Sequence, residues 1–207
     1  MTIAPPPQAI QEELFPLTVP DREITSNGQA RNEYGKVVEE VIPAILGANP
    51  IKHTGSHDIV FDAFGNGFYY EIKSLYHTSK LPLYEWRRLK DREAEVPLLY
   101  AVALHRVKGA STVREVWEKM SASLRAILVI PHEVVGNLAL DQKLVFLKGR
   151  ENIPENTRNG YARKGYRDGY RNVSAKSLKE AAPHTLVTVT KEIRGMKFSV
   201  EVRTRIS

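Results

Sequence analysis

The 207-residue chain contains no cysteine, which excludes disulfides and thiolate metal sites and permits a reducing compartment. No apolar run approaches the length of a membrane span, and the first residues lack the basic start and apolar core of a secretory signal. The expectation is an intracellular protein, cytoplasmic or nucleoid-associated, with no membrane partner. There is no Walker phosphate loop, dinucleotide fingerprint, nucleophile elbow or zinc pattern. Six histidines, His53, His57, His77, His105, His132 and His184, show no paired metal-ligand spacing.

What the chain does have is an uneven charge. Residues 1–110 hold 12 Lys and Arg against 14 Asp and Glu, whereas residues 111–207 hold 18 against 10, so the formal charge of +6 arises wholly in the second half. A phosphate backbone is a natural partner for that asymmetry. Within the basic half, Thr157 to Asn172 repeats Gly-Tyr three times, interleaved with Arg158, Arg163, Lys164, Arg167 and Arg171. Arginine contacts phosphates and tyrosine stacks on exposed bases, so Arg158, Tyr161, Arg163, Lys164, Tyr166, Arg167 and Arg171 are candidate DNA contacts on a loop or frayed helix.

The alternating pattern around Gly65-Asn66-Gly67 predicts a β-hairpin. Along its second strand Phe68, Tyr70 and Ile72 point to a core, while Tyr69, Glu71 and Lys73 share the other face. Whether the tight turn is centred on Gly65-Asn66 or on Asn66-Gly67, antiparallel pairing puts Asp58 on that same face. Two neighbouring carboxylates repel unless a cation lies between them, and hard oxygen donors suit Mg²⁺ or Mn²⁺. A lysine beside them can serve a water or offset charge on a phosphate.

Upstream, Tyr34, Val37, Val38, Val41, Ile42 and Ile45 recur at helical spacing over Arg31 to Leu46, with Ser26 or Asn27 as the cap, Gly47 as the stop and Pro43 as a kink. Glu39 lies at the edge of the apolar stripe, with Glu33 and Glu40 as competing acids. Downstream, the pattern predicts helices at Leu83 to Glu95, Thr112 to Ser123 and Ser174 to Ala182. Strands are expected at Leu98 to Val107, Arg125 to Ile130 and Leu144 to Leu147, and a terminal hairpin around Arg194-Gly195. Such alternation indicates an α/β fold with a central mixed β-sheet flanked by helices. The expected organisation is a proline-rich tail over residues 1–25, a core over 26–149 and a basic C-terminal extension over 150–207.

The order of these features resembles the PD-(D/E)XK nuclease superfamily, and within it most of all the archaeal-type Holliday junction resolvases. The resemblance spans Gly35 to Val107 and rests on Gly35-Lys36-Val37-Val38-Glu39 followed by Ile42, Ile45 and Leu46, on Gly55-Ser56-His57 before Asp58, and on Glu71-Ile72-Lys73-Ser74. It implies a restriction-endonuclease-like core and a Mg²⁺-dependent endodeoxyribonuclease, with Mn²⁺ as a substitute. Asp58 and Glu71 would hold the metal, the Ile72 carbonyl would complete its shell, Glu39 would add an acid through water, and Lys73 would serve the attacking water. His53 and His57 lie close enough to that site to touch substrate, and Ser56 and His57 are candidate DNA contacts. The implied partners are branched DNA and a second copy of the chain in a C2 dimer, in recombination or repair. A restriction- or repair-type duplex endonuclease and a noncatalytic DNA-binding protein on a nuclease fold are the alternatives. His57 stands where the superfamily usually has proline, and the long C-terminal part has no counterpart in the compact resolvases.

Overall fold

A computed structural model of the chain describes residues 18–51, 62–83, 97–145, 170–182 and 185–205. Helix α1 spans Asn27–Leu46, starting four residues before the apolar periodicity because Ser26 caps it, its side chain accepting from the Gln29 N–H at 3.2 Å. Gly47 ends it in the left-handed region at φ 67°. The buried stripe is Ala30, Val37, Val38, Val41, Ile42 and Ile45.

Ten strands follow in chain order: β1 (Asn49–Pro50), β2 (Ala63–Gly65), β3 (Phe68–Tyr76), β4 (Lys80–Leu83), β5 (Leu98–His105), β6 (Ala126–Pro131), β7 (Leu144–Val145), β8 (Tyr170–Ser174), β9 (Thr185–Ile193) and β10 (Met196–Thr204). Helices α2 (Val113–Ser123), α3 (His132–Leu140) and α4 (Ala175–Ala181) complete the described elements. A mixed seven-stranded sheet runs β1-β2-β3-β5-β6-β10-β9, and a small sheet runs β4-β8-β7. The pairs β3–β5 and β6–β10 are parallel, and the other pairs are antiparallel.

Every residue of β5 is buried, as a central strand covered on both faces requires. On one face α1 and α2 pack over Ile72, Ala101, Ala103, Ile127, Val129, Phe198 and Val200. On the other, α3, α4 and the small sheet enclose Leu75, Tyr100, Val102, Leu128, Ile130, Val173 and Leu178. The result is a layered α/β architecture with a mixed sheet flanked by helices.

The β2–β3 turn is centred on Asn66-Gly67, with both residues at positive φ (53° and 82°), which the twist of a two-residue hairpin demands. Gly65 has a different reason to be glycine. A Cβ there would lie 2.6 Å from the Ala48 Cα and 2.8 Å from its Cβ, so Gly65→Ala forces β2 away from the end of α1. We expect a loss of about 1 to 3 kcal/mol in urea unfolding, and an unchanged midpoint would contradict the packing described.

Four expectations are corrected. The C-terminal part is not a separate extension: β10 lies between β6 and β9 inside the main sheet, and Phe198, Val200 and Val202 are core residues. Strand alternation revealed the hairpin, but its pairing with β6 depends on contacts about seventy residues away in sequence. The segment expected as a proline-rich tail over residues 1–25 is packed on the fold over residues 18–25, because Val19 is buried and Ile24 N–H donates to the Ser111 carbonyl at 2.7 Å. Leu83 does not begin a helix; it is a fully buried residue of β4, alternating with Leu81, and Tyr84 to Glu95 lie outside the described residues. Tyr170, Arg171 and Asn172 belong to strand β8 rather than to a loop, held between β4 and β7.

Candidate functional site

Strand β3 sorts its side chains by alternation. Tyr70 and Ile72 are each 5% exposed in the core, and Glu71 and Lys73 stand together on the opposite face. The Lys73 Nζ lies 2.5 Å from Glu71 Oε1, with the two side chains 28% and 21% exposed. This is the placement that strand periodicity predicts.

An acid absent from the sequence reading joins them. A two-residue turn makes Ala63 and Tyr70 a hydrogen-bonded pair, and the Asp62 N–H also donates to the Tyr70 carbonyl, at 2.9 Å. Two residues of β2 thus oppose one of β3, which is a β-bulge. Beside the bulge the Asp62 side chain turns to the backbone of β3, Oδ2 accepting from the Ile72 N–H at 2.5 Å. Ile72, expected to lend a carbonyl, is therefore seen lending its N–H to the site.

Burial first, and the Glu71 carboxylate second, push the Asp62 carboxyl up to about 6. The Ile72 N–H and the Lys73 ammonium oppose the rise, and Glu39 adds to it. Glu39 thus acts electrostatically on this site from the exposed side of α1. The competing acids are engaged elsewhere: Glu33 accepts from Arg22 and Lys36, and Glu40 forms a two-point ion pair with Arg194.

Asp58, Ser56 and His57 lie outside the described residues, as do Arg158, Tyr161, Arg163, Lys164, Tyr166 and Arg167. The placement of Asp58 beside Glu71 assumed unbroken alternation, and the bulge at Asp62 interrupts it. Arg171, a candidate DNA contact, donates to the Leu140 carbonyl at 2.8 Å and to the Gln142 carbonyl just beyond α3. Its guanidinium satisfies helix carbonyls that lack intrahelical partners.

One other constellation has the look of chemistry. Ser74 Oγ lies 3.1 Å from His105 Nε2, the spacing of a nucleophile and its base. The Val107 N–H donates to His105 Nδ1 at 3.1 Å, however, so the neutral ring carries its proton on Nε2 and donates to the serine. Burial first, and His77 second, lower the His105 pKa to about 4, so the ring stays neutral. The pair is a buried polar link between β3 and β5.

Among the described residues, no three histidine or acidic side chains converge closely enough to hold a metal by themselves. Two carboxylates, Asp62 and Glu71, nonetheless suit Mg²⁺, which commonly uses one or two carboxylates and keeps several waters. Their mutual repulsion is the feature that a cation would relieve. No helix among the described residues is long and apolar enough to cross a membrane. Comparison of the chain with protein-family models, curated proteins and solved structures gives no match in any of the three.

Proposed function

We propose that the chain is a Mg²⁺-dependent DNA endonuclease, with Asp62, Glu71 and Lys73 at its centre and Glu39 and Asp58 in support. The observation that carries this reading is the Asp62 carboxyl itself: a partly buried acid held beside a second carboxylate and a lysine, with its pKa raised to about 6. Such an arrangement costs stability, and groups perturbed in this way concentrate at functional sites. Helix α1 with Glu39 and the β2–β3 hairpin with Glu71 and Lys73 follow one another in the order on which the nuclease resemblance rests.

Bound Mg²⁺ would polarise a phosphodiester and generate the attacking water at neutral pH. Asp62 and Glu71 would hold the cation, and the Ile72 N–H fixes the orientation of the Asp62 carboxylate. Lys73, on the same face as Glu71, orients the water and offsets charge developing on the phosphate. The pairing of Val145 with Tyr170 brings the two ends of the basic segment 146–169 together. Binding to DNA should weaken steeply with salt. The substrate favoured by the resemblance is a branched junction, with duplex cutting as the rival outcome.

Lys73→Ala should reduce cleavage of a labelled four-way junction about 10²- to 10⁴-fold and leave binding in a gel-shift assay within a few-fold of wild type. Equal loss of binding and cleavage would remove Lys73 from its assigned role.

A further inference from the structure

The two edges of the main sheet are built differently. At one edge β1 is two residues long and ends in Pro50, a short strand with a proline that cannot donate to a neighbour. At the other, β9 runs nine residues, Thr185–Ile193, without proline or glycine and with no charge before Lys191. Among the described residues it pairs on one side only, with β10. Of the three exposed large apolar side chains in the described residues, two are neighbours on this strand, Leu186 at 60% and Val187 at 52%. A long edge strand whose first six residues are uncharged and include two exposed apolar side chains is a template for another strand.

We propose that β9 pairs antiparallel with β9 of a second copy, about a twofold axis at Thr188. The backbone fixes which groups are offered. The Arg194-Gly195 turn has positive φ at both residues (52° and 73°), so Ile193 and Met196 form its closing hydrogen-bonded pair. Counting back by twos, Ile193, Lys191, Val189 and Val187 bond to β10, and Glu192, Thr190, Thr188 and Leu186 direct their N–H and C=O groups outward.

A twofold axis perpendicular to the sheet keeps each side chain on its own face, so only residues of equal parity can oppose one another. With the axis at Thr188, Leu186 opposes the second copy's Thr190, and Val187 opposes its Val189. Val189 already packs on the core, so the pairing extends that core over the exposed Val187. Lys191 meets Thr185, and Glu192 overhangs. An axis at Lys191 or Glu192 would instead oppose like charges, and the uncharged stretch Thr185 to Thr190 is where self-pairing meets no repulsion. This charge and side-chain self-complementarity selects a second copy as the occupant. The contact involves about seven residues a side against the roughly 20 to 30 of a standard interface, so the dimer is expected to be weak and concentration-dependent. Both copies would then present Glu71 and Lys73 on the same face of one continuous sheet, a consequence independent of whether the site cuts DNA.

Sedimentation equilibrium of the full chain over about 1 to 200 µM tests this, because weak dimers form within that range. The wild type should pass from monomer to dimer. Thr188→Pro, which removes an outward N–H and no bond to β10, should remain monomeric with an unchanged circular dichroism spectrum. The absence of native cysteine allows a second readout. Opposed residues at the axis have Cα atoms about 5.5 Å apart, within disulfide reach, so Thr188→Cys should cross-link on mild oxidation and Glu192→Cys should not. A wild type monomeric throughout, a folded Thr188→Pro that still dimerises, or equal cross-linking at both positions would overturn the proposal.

Discussion

Asp62→Asn should raise the stability of the metal-free protein at pH 8 and abolish cleavage at the same time. The Asp62 carboxyl is pushed from 3.8 to about 6 by burial and by the carboxylates of Glu71 and Glu39. A folded pKa above the unfolded value means that the fold prefers the protonated acid. That contribution is fully present below about pH 4 and is lost as the pH rises through about 6. At pH 8 the ionised carboxylate therefore costs the fold about 1 to 3 kcal/mol, the upper figure corresponding to the full shift and the lower to screening by solvent.

Asparagine removes the charge, and its amide oxygen can still accept from the Ile72 N–H. For a protein of this size, each kcal/mol raises the melting temperature by about 2 to 4 °C. Calorimetry in EDTA should show the gain at pH 8 and little of it at pH 3.5. Added Mg²⁺ should stabilise the wild type and leave the variant unchanged. If Asp62→Asn destabilises the protein at pH 8, the carboxylate is structural and the site loses its central acid.

The second large effect falls on the neighbouring acid of α1. Arg194 reaches Glu40 through Nε at 2.5 Å and Nη2 at 2.8 Å, donates through Nη1 to the Thr18 carbonyl at 3.1 Å, and lies 5.2 Å over the Trp117 ring. The side chains of the pair are only 10% and 11% exposed. Removing either partner leaves a charge largely out of water, which typically costs about 3 to 5 kcal/mol. Glu40→Ala and Arg194→Ala should each lose that much in urea unfolding, and the double variant should lose clearly less than their sum. Glu39→Ala should cost about 0.5 kcal/mol or less and lower cleavage instead. The reverse pattern, with Glu40→Ala stable but inactive, would exchange the roles of the two glutamates.

Local patterns made much of the fold legible. The stripe from Val37 to Ile45 and the Gly47 stop gave α1, and the Asn66-Gly67 signal gave the β2–β3 hairpin with Glu71 and Lys73 on one face. These depend on periods and turns that a short window contains. The position of β10 beside β6 did not, because strand pairing at long separation leaves no mark in either strand alone. Asp62 was missed for a related reason. It stands nine residues before Glu71 at the open end of the hairpin, but a single-residue bulge cannot be read from alternation, and it is the bulge that brings the Asp62 carboxylate to the Ile72 N–H. The role of Arg171 was hidden similarly: a basic residue in a Gly-Tyr segment suggests a phosphate contact, and only the end of α3 reveals its carbonyl partners.

The most direct test of the carboxylate site is cleavage of a labelled four-way junction and a matched linear duplex in Mg²⁺ or EDTA, by the wild type, Asp62→Asn and Asp58→Ala. The account predicts Mg²⁺-dependent nicks paired across the junction, absent in EDTA and absent with Asp62→Asn, with Asp58→Ala reporting whether the second aspartate shares the cation. Undiminished cutting by Asp62→Asn, or binding of both DNAs without cutting under any condition, would contradict it.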